Sequence, residues 1–162
     1  MSTTNDTSPL PQPSDPFVRI GRTDEFRGTG PTRVRVSERN LAIFYHEGEF
    51  HAVDNRCPHM GFPLCEGTVE DGILTCHWHH ARFELSCGDT FDPWADDVTT
   101  YRTEVHEGDL YVDPSGTRDR DPVDHWRDRL ETGLRENLSL IVAKSVVHLR
   151  EHGVDHVEQI RK

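Results

Sequence analysis

Short apolar runs separated by polar turns fill the first two thirds of the chain. The runs are rich in β-branched and aromatic residues, as is typical of strands, and they fall at residues 17–20, 32–36, 41–46, 50–53, 73–75, 81–85, 100–106 and 110–112. Glycine stands inside two predicted hairpin turns, at residues 47–49 and 107–109. Many short strands with frequent turns predict a mainly β fold, an antiparallel sandwich or small barrel.

The pattern changes from strand-like to helical after residue 114. Asp121 and Pro122 suit the N-cap and the first position of a helix. Apolar residues then recur every fourth position and predict one apolar stripe on that helix, made of Trp126, Leu130 and Leu134. A second helix is predicted over residues 138–152 and is ended by Gly153.

Three segments follow from these patterns. Residues 1–16 are predicted to be a disordered polar tail, residues 17–114 a β domain, and residues 115–162 a linker and helical extension. Within the extension, Asp155 and Glu158 are spaced as a capping pair for a last short helix. The apolar faces of residues 122–162 either pack inside the chain or dock a partner or a second copy.

Composition narrows the classes of function. Only 33% of the 162 residues are hydrophobic and the mean hydropathy is −0.71, so the core is small and a bound cofactor or a partner would supplement its stability. The net charge of −11 argues against nucleic-acid binding, which needs a basic face. No run approaches the ~18 apolar residues of a membrane-spanning helix, so we expect a cytoplasmic protein without a membrane partner.

Two short segments carry candidate chemistry: a C-x-H motif at Cys57 and His59, and, after sixteen intervening residues, a C-x-x-H motif at Cys76 and His79. Each segment offers one thiolate and one imidazole on a tight loop. In a reducing compartment such cysteines are better candidates for metal ligands than for disulfides. A set of two cysteines and two histidines could hold zinc, although zinc sites more often use C-x-x-C pairs.

With these motifs the chain resembles the Rieske [2Fe–2S] proteins over residues 17–112. The residues that carry the resemblance are Cys57, Pro58, His59, Met60, Gly61, Pro63, Leu64, Glu66, Gly67 and those at 76–83. In that family one iron is bound by two cysteines and the other by two histidines. The resemblance therefore implies one [2Fe–2S] cluster as cofactor, ligated by Cys57, His59, Cys76 and His79.

The resemblance also implies three antiparallel sheets, with the ligand loops in an inserted subdomain and the imidazole edges at the surface as an electron exit. Residues 91–94 stand where the family has a third, proline-containing loop over the cluster. His80 replaces the glycine that is usual in the family. We expect His77 and His80 to be exposed neighbours of the ligands, and Cys65 and Cys87 to be plain thiols.

Positions that tune the cluster differ from those of the respiratory members. Their inter-loop disulfide would fall at Phe62 and Trp78, so it cannot form here. Their serine and tyrosine donors correspond to Ala81 and Phe83, which lack hydroxyl groups. Hydroxyl hydrogen bonds stabilise the reduced, more negative state, so their absence predicts a potential at the low end of the Rieske range, about −150 mV.

These features favour a one-electron carrier that passes electrons between a reductase and an oxygenase or other oxidoreductase. An acidic surface suits docking onto a basic patch of a redox partner, or simply keeps the protein soluble. A complete oxygenase would need a further domain with an iron site made of two histidines and one carboxylate, and residues 115–162 are too short for one. The alternative is an accessory or regulatory subunit of a larger redox complex that docks through its C-terminal helices.

Overall fold

A computed structural model of the chain describes residues 16–92, 94–116 and 121–154. In these ranges three antiparallel sheets are formed, with orders β1-β10-β9, β2-β3-β4-β8 and β5-β6-β7. Their strands are β1 Val18–Arg22, β2 Thr32–Val36, β3 Arg39–His46, β4 Glu49–Asp54, β5 Thr68–Glu70, β6 Ile73–Thr75, β7 Arg82–Glu84, β8 Thr100–Tyr101, β9 Thr103–His106 and β10 Asp109–Val112. The predicted mainly β fold with inserted ligand loops is confirmed.

Both predicted hairpin turns have the same geometry. Glu47 and Gly48 link β3 to β4 with φ values of 49° and 92°, and Glu107 and Gly108 link β9 to β10 with values of 51° and 83°. Two successive residues in the left-handed region form the two-residue turn whose twist matches antiparallel strands. The turns therefore fix the register of both hairpins.

The predicted strand at 100–106 is in fact two strands in different sheets. Thr100–Tyr101 pairs with β4, whereas Thr103–His106 pairs with β10. Between them Arg102 turns its guanidinium toward the buried carboxylate of Asp113, 2.6 Å away. The chain therefore crosses from one sheet to the next at Arg102, a change that an apolar pattern does not reveal.

The β domain has two apolar cores. One lies between the first two sheets and includes Leu41, Ile43 and Leu110. The other surrounds the β5-β6-β7 sheet and includes Cys57 and Cys76 among its buried members. A side chain of leucine or phenylalanine size buried there contributes about 1.5–3 kcal/mol, so the second core anchors the ligand loops that begin at these cysteines.

Three α-helices accompany the sheets in the described ranges: the single turn α1 Asp24–Arg27, α2 Pro122–Arg135 and α3 Ser139–Glu151. One short 3₁₀ helix is formed as well, at Leu64–Glu66. Asp121 caps α2 as predicted, because its carboxylate accepts the amides of Val123 and Asp124. Gly153 has a φ of 74° just after α3, as expected of a terminating glycine. The predicted tail up to residue 15, the linker at 117–120 and the capping pair Asp155 and Glu158 lie outside the described residues.

Most of the predicted apolar stripe of α2 packs against other parts of the chain. Trp126 and Leu130 are buried against Leu149 of α3, and Trp126 stacks on His148 with ring centroids 4.2 Å apart. Leu134, at the end of the stripe, is 44% exposed. Among the described helices, none has the length and apolarity needed to cross a membrane.

Candidate metal centre

The first ligand loop is a closed turn that begins at Cys57. The amide of Gly61 donates to the carbonyl oxygen of Cys57 at 2.7 Å. The amide of Cys57 in turn donates to the carbonyl oxygen of Phe62 at 2.8 Å. Gly61 has a φ of 86°, the left-handed conformation that the turn requires. The buried carboxamide of Asn55 accepts the amide of Cys65 at 2.8 Å and fixes the far end of the loop. The sequence motifs gave no indication of this role for Asn55.

The second ligand loop repeats this construction between β6 and β7. The amide of His80 donates to the carbonyl oxygen of Cys76 at 2.9 Å. The amide of Cys76 in turn donates to the carbonyl oxygen of Ala81 at 2.8 Å. His80 takes the left-handed conformation here, with a φ of 61°. The two loops are therefore equivalent turns that present Cys57 and Cys76 from the same core.

The predicted ligands form two pairs, one of thiols and one of imidazoles. The thiols of Cys57 and Cys76 are buried and in hydrogen-bond contact. The rings of His59 and His79 meet edge to face with centroids 4.8 Å apart, His59 half-buried and His79 exposed. A pair of thiols and a pair of imidazoles are the donors required by a cluster in which two cysteines bind one iron and two histidines bind the other.

Two further observations fit a metal-bound state. The Nδ1 atom of His59 is buried and has no hydrogen-bond partner among the described residues, which leaves a nitrogen free for a metal. In the metal-free chain, burial raises the pKa of the Cys57 thiol, and the contact with Cys76 raises it further. The amides of His59 and Met60 oppose this by donating to the Cys57 sulfur. Metal binding there must release a proton.

In the described ranges, no three Cys, His, Asp or Glu side chains come together as they would around a single metal. The donors instead form the two pairs described above.

Aromatic and apolar side chains surround the imidazoles. Trp94 meets His59 with ring centroids 4.9 Å apart, Trp78 lies 4.8 Å from the ring of His79, and Phe62 lies 5.8 Å from that of Trp78. Met60, Trp78 and Trp94 are each about half exposed. We call this surface the tip, defined by Met60, Phe62, Trp78, His79 and Trp94 together with His59. Trp94, which belongs to the predicted third loop, thus packs against His59, one of the candidate ligands.

The remaining histidines and cysteines near the loops have other surroundings. His77 and His80 are exposed, and the His77 ring lies 3.3 Å from the hydroxyl of Thr68. Cys65 and Cys87 are free thiols that are half-buried. Burial, aided by the nearby carboxylates of Asp89 and Glu84, raises the pKa of Cys87 to about 12, so this thiol is a poor nucleophile at neutral pH.

The two positions expected to tune the potential are both enclosed. Ala81 and Phe83 have no exposed surface and belong to the same core as the ligand cysteines. Neither side chain carries a hydrogen-bond donor, so the sulfur side of the centre is surrounded by apolar groups at these positions.

Comparison with known proteins decides the family. Residues 17–102, more than half of the chain, match the sequence model of the Rieske [2Fe-2S] domain. The chain belongs to the Rieske [2Fe–2S] domain family. Its cofactor is accordingly one Rieske-type [2Fe–2S] cluster, and the paired donors described above fit such a cluster.

Sequence relatives of this Rieske domain share its cluster region. A human Rieske domain-containing protein is 38% identical over 76 residues, which are 44% of this chain and 48% of that protein. The ferredoxin component of an alkene monooxygenase system from Xanthobacter autotrophicus is 41% identical over 78 residues, 48% of this chain and 64% of that component. The 3-phenylpropionate/cinnamic acid dioxygenase ferredoxin subunit of Escherichia coli K12 is 37% identical over 75 residues, covering 45% and 71%.

Solved structures agree on the fold. The ferredoxin of carbazole 1,9a-dioxygenase from Nocardioides aromaticivorans superposes with a TM-score of 0.57 at 22% identity, covering 61% of this chain and 98% of that ferredoxin. The Sphingomonas yanoikuyae B1 ferredoxin gives 0.55 at 23% identity, with 59% and 96% covered. The match with this chain thus covers nearly the whole length of each ferredoxin. The chain spans about half of the human relative's length, and roughly two fifths of this chain lies outside each structural match.

Proposed function

We propose that this Rieske protein is a one-electron carrier between a reductase and an oxygenase or other oxidoreductase, and that Cys57, His59, Cys76 and His79 hold its cluster. One observation carries the proposal: the two thiols are enclosed in the core, whereas the two imidazoles face the surface. A centre built in this way is insulated on its sulfur side and reachable on its nitrogen side. Electron transfer needs contact between partners on one face only.

The relatives support this role. Two of the sequence relatives are ferredoxin components of oxygenase systems, and one structural neighbour is a complex of oxygenase and ferredoxin in carbazole 1,9a-dioxygenase. We extend from these proteins to this chain the role of electron carrier in such a system. We likewise assign it to the cytoplasm, where a carrier would meet its reductase.

The side chains of this protein would do three things for the cluster. The Cys57 sulfur accepts hydrogen bonds from the amides of His59 and Met60, which favours the anionic thiolate. The apolar core around Ala81 and Phe83 keeps water and side-chain hydroxyl groups from the sulfur side. The rings of the tip exclude water around the imidazoles while leaving the His79 edge open. The bound cluster itself supplies the one-electron chemistry.

The tip differs in charge from the rest of the protein. Residues 57–64 and 76–82 contain no aspartate or glutamate, although the whole chain has a net charge of −11. The exposed groups there are mainly aromatic rings, histidines and a methionine. We therefore expect the partner to bring an apolar docking surface to the tip, where Trp78 and Trp94 provide anchors of the kind that dominate interfaces. A basic patch would find its complement elsewhere on this protein.

The function is tested by reducing the purified protein under anaerobic conditions and following its EPR spectrum through a redox titration. We expect the rhombic signal of a mixed nitrogen–sulfur [2Fe–2S] cluster, appearing at low potential. Zinc without any iron signal would contradict the carrier role. Oxygen-dependent turnover of a substrate by the chain alone would point to an oxygenase instead.

Ligand variants test the site assignment. His79→Ala should abolish the rhombic signal, because the iron bound by the two histidines loses a ligand. His77→Ala and His80→Ala are matched controls: both histidines flank His79 on the same exposed loop, and both variants should keep the signal. Loss of the signal in a control variant with retention in His79→Ala would overturn the assignment.

A further inference from the structure

The helical extension meets the β domain through charged groups that are buried at the joint. Asp89 is 1% exposed, and two groups of α2 lie against its carboxylate: Nε2 of His125 at 2.9 Å and Nε of Arg129 at 3.0 Å. The side chains of His125 and Arg129 are themselves 5% and 9% exposed. Burying such groups is costly unless they are paired, so this joint is a specific contact.

Arg129 contacts more than Asp89. Its guanidinium also pairs with Glu84 at the end of β7, and it lies over the ring of Phe91 at 5.7 Å. A single side chain of α2 thus reaches the strand that leaves the second ligand loop and the segment that follows it. This segment, residues 89–92 and 94–98, contains the described residues of the predicted third loop together with their neighbours on both sides, and from here on the name third loop refers to this whole segment.

A second contact comes from α3. The ammonium group of Lys144 lies 2.9 Å from Oδ1 of Asp97, and the same oxygen accepts the amide of Thr90 at 2.9 Å. Arg129 therefore holds one end of the third loop and Lys144 the other, and Asp97 joins the two ends. Both helices of the extension participate.

The third loop is also tied to the second ligand loop and to a ligand. The carboxylate of Asp92 accepts the amide of Arg82 at 2.8 Å and pairs with its guanidinium at 2.9 Å. Trp94, in the same loop, covers the ring of His59. A continuous set of contacts thus leads from Arg129 and Lys144 to the ligand imidazole.

We propose that the helical extension is a clamp that seats the third loop on His59, with Arg129 and Lys144 as positioning residues, and that the clamp lowers the reduction potential. The proposal rests on the ligand assignment made above. The contacts place no described extension residue on the tip itself, so the clamp acts on the centre only through the loop.

The direction of the effect follows from charge. The reduced cluster carries one more negative charge than the oxidised cluster, and water stabilises the more highly charged form. A seated Trp94 keeps water from His59 and so disfavours reduction. Loosening the third loop should therefore raise the midpoint potential.

The test uses the full-length holoprotein with Arg129→Met and Lys144→Met, which remove a charge and keep the aliphatic length. Hydrogen–deuterium exchange should become faster for amides of the third loop, including that of Thr90, and the midpoint potential should shift upward. Arg127→Met is the matched control, since Arg127 is on α2 but pairs only with the exposed Asp124 at 3.5 Å in the described structure. That variant should leave both quantities unchanged.

Rescue distinguishes a specific contact from general damage. Arg129→Lys keeps the positive charge and should return the potential toward that of the unaltered protein. If Arg129→Met fails to fold, Lys144→Met decides the question, because the Lys144–Asp97 pair is about a quarter exposed and lies outside the apolar cores. Trp94→Ala should raise the potential in the same direction, since it removes the final contact of the set.

The outcomes separate this proposal from the proposed function. Faster exchange of the third loop with an unchanged potential would overturn the clamp as a tuning device and leave the carrier role intact. Unchanged exchange in both variants would overturn it as well. A missing rhombic signal in the unaltered protein would instead contradict the ligand assignment, whatever the exchange rates are.

Discussion

Phe62 and Trp78 join the two ligand loops through their rings, whose centroids lie 5.8 Å apart at an interplanar angle of 43°. These are the positions at which the resemblance to respiratory Rieske proteins would place an inter-loop disulfide. A noncovalent contact therefore stands where those members have a covalent link. It is weaker than a disulfide and, unlike a disulfide, it is insensitive to thiol reductants.

The strength of this contact can be measured by a double-mutant cycle with Phe62→Leu and Trp78→Leu. An aromatic pair contributes about 0.5–1.5 kcal/mol beyond simple burial, so we expect a coupling energy of that size in the free energy of unfolding. Both single variants should also lose the cluster faster under a chelator. Val147→Ala, which trims an exposed apolar side chain on α3, is the control that should do neither. Strictly additive effects of the two substitutions would show that the rings do not stabilise each other.

The enclosed positions Ala81 and Phe83 set the second prediction, which concerns the potential. Ala81→Ser and Phe83→Tyr each introduce a hydroxyl donor on the sulfur side of the centre, and such donors favour the reduced state. We expect each variant to raise the midpoint potential from about −150 mV, measured by redox titration. Phe26→Tyr adds a hydroxyl to the other apolar core and should leave the potential unchanged. A midpoint above zero in the unaltered protein would refute the reasoning.

Equivalent turns at Gly61 and His80 predict opposite responses to substitution. Gly61→Ala places a Cβ in the left-handed region and 3.2 Å from Nε of Arg56, so it should destabilise the apoprotein by about 1–2 kcal/mol. His80→Gly removes the same backbone cost and should be neutral to stabilising, by at most about 1 kcal/mol. Urea unfolding measures both.

Gly28→Ala is the control for these turn variants. Gly28 has a φ of −120° and nothing within 4 Å of an added Cβ, so alanine should cost nothing there. If Gly61→Ala matched Gly28→Ala in stability, the left-handed turn would not be required.

The Arg102–Asp113 pair predicts a dependence of stability on acid. Burial alone would raise the pKa of Asp113, but hydrogen bonds from Arg102 and Ser115 outweigh it and lower the pKa below the usual value of 3.8. A carboxyl group whose pKa is lowered by folding stabilises the native state above its unfolded pKa, near 4, and this contribution is lost as pH falls below that value.

Asp113→Asn should therefore lower the free energy of unfolding by about 2 kcal/mol at pH 7. The deficit should shrink as the pH falls below about 4, because the native carboxyl group is then protonated as well. Chemical denaturation of the two proteins between pH 7 and pH 3 measures this convergence. A deficit that is constant across the range would show that the charge of Asp113 is not what stabilises the fold.

Much of the fold and of the centre could be predicted from the sequence, because the information is local. Strand β2 was predicted at its observed bounds, as was β6, and Asp121 was recognised as the cap of α2 from its neighbours alone. The four candidate ligands were predicted from two short motifs, and in the structure the two thiols are in contact with each other, as are the two imidazole rings. In each case a few adjacent residues determine the result.

The features that escaped prediction depend on residues far apart in the chain. The switch of sheets at Arg102 is associated with a partner eleven positions away, and β5 and α1 are too short to show a period. The pair of Asp89 with Arg129 joins positions that no motif connects. In the sequence, Asn55 cannot be distinguished from other turn residues, because its contact with Cys65 exists only in the folded ligand loop. Long-range polar contacts of this kind leave no periodic signal in one sequence.

A centre that opens on one side only also restricts how a carrier can be used. Under the proposed function, the enclosed thiols leave the imidazole edge as the common site for electron entry and exit, so a donor and an acceptor must bind there in turn. With one shared site, a complex of donor, carrier and acceptor cannot transfer electrons productively. A long residence time with either partner would then slow turnover. Fast dissociation, and hence modest affinity for both partners, would then be a requirement of turnover. An excess of either partner should slow electron transfer by occupying the shared site.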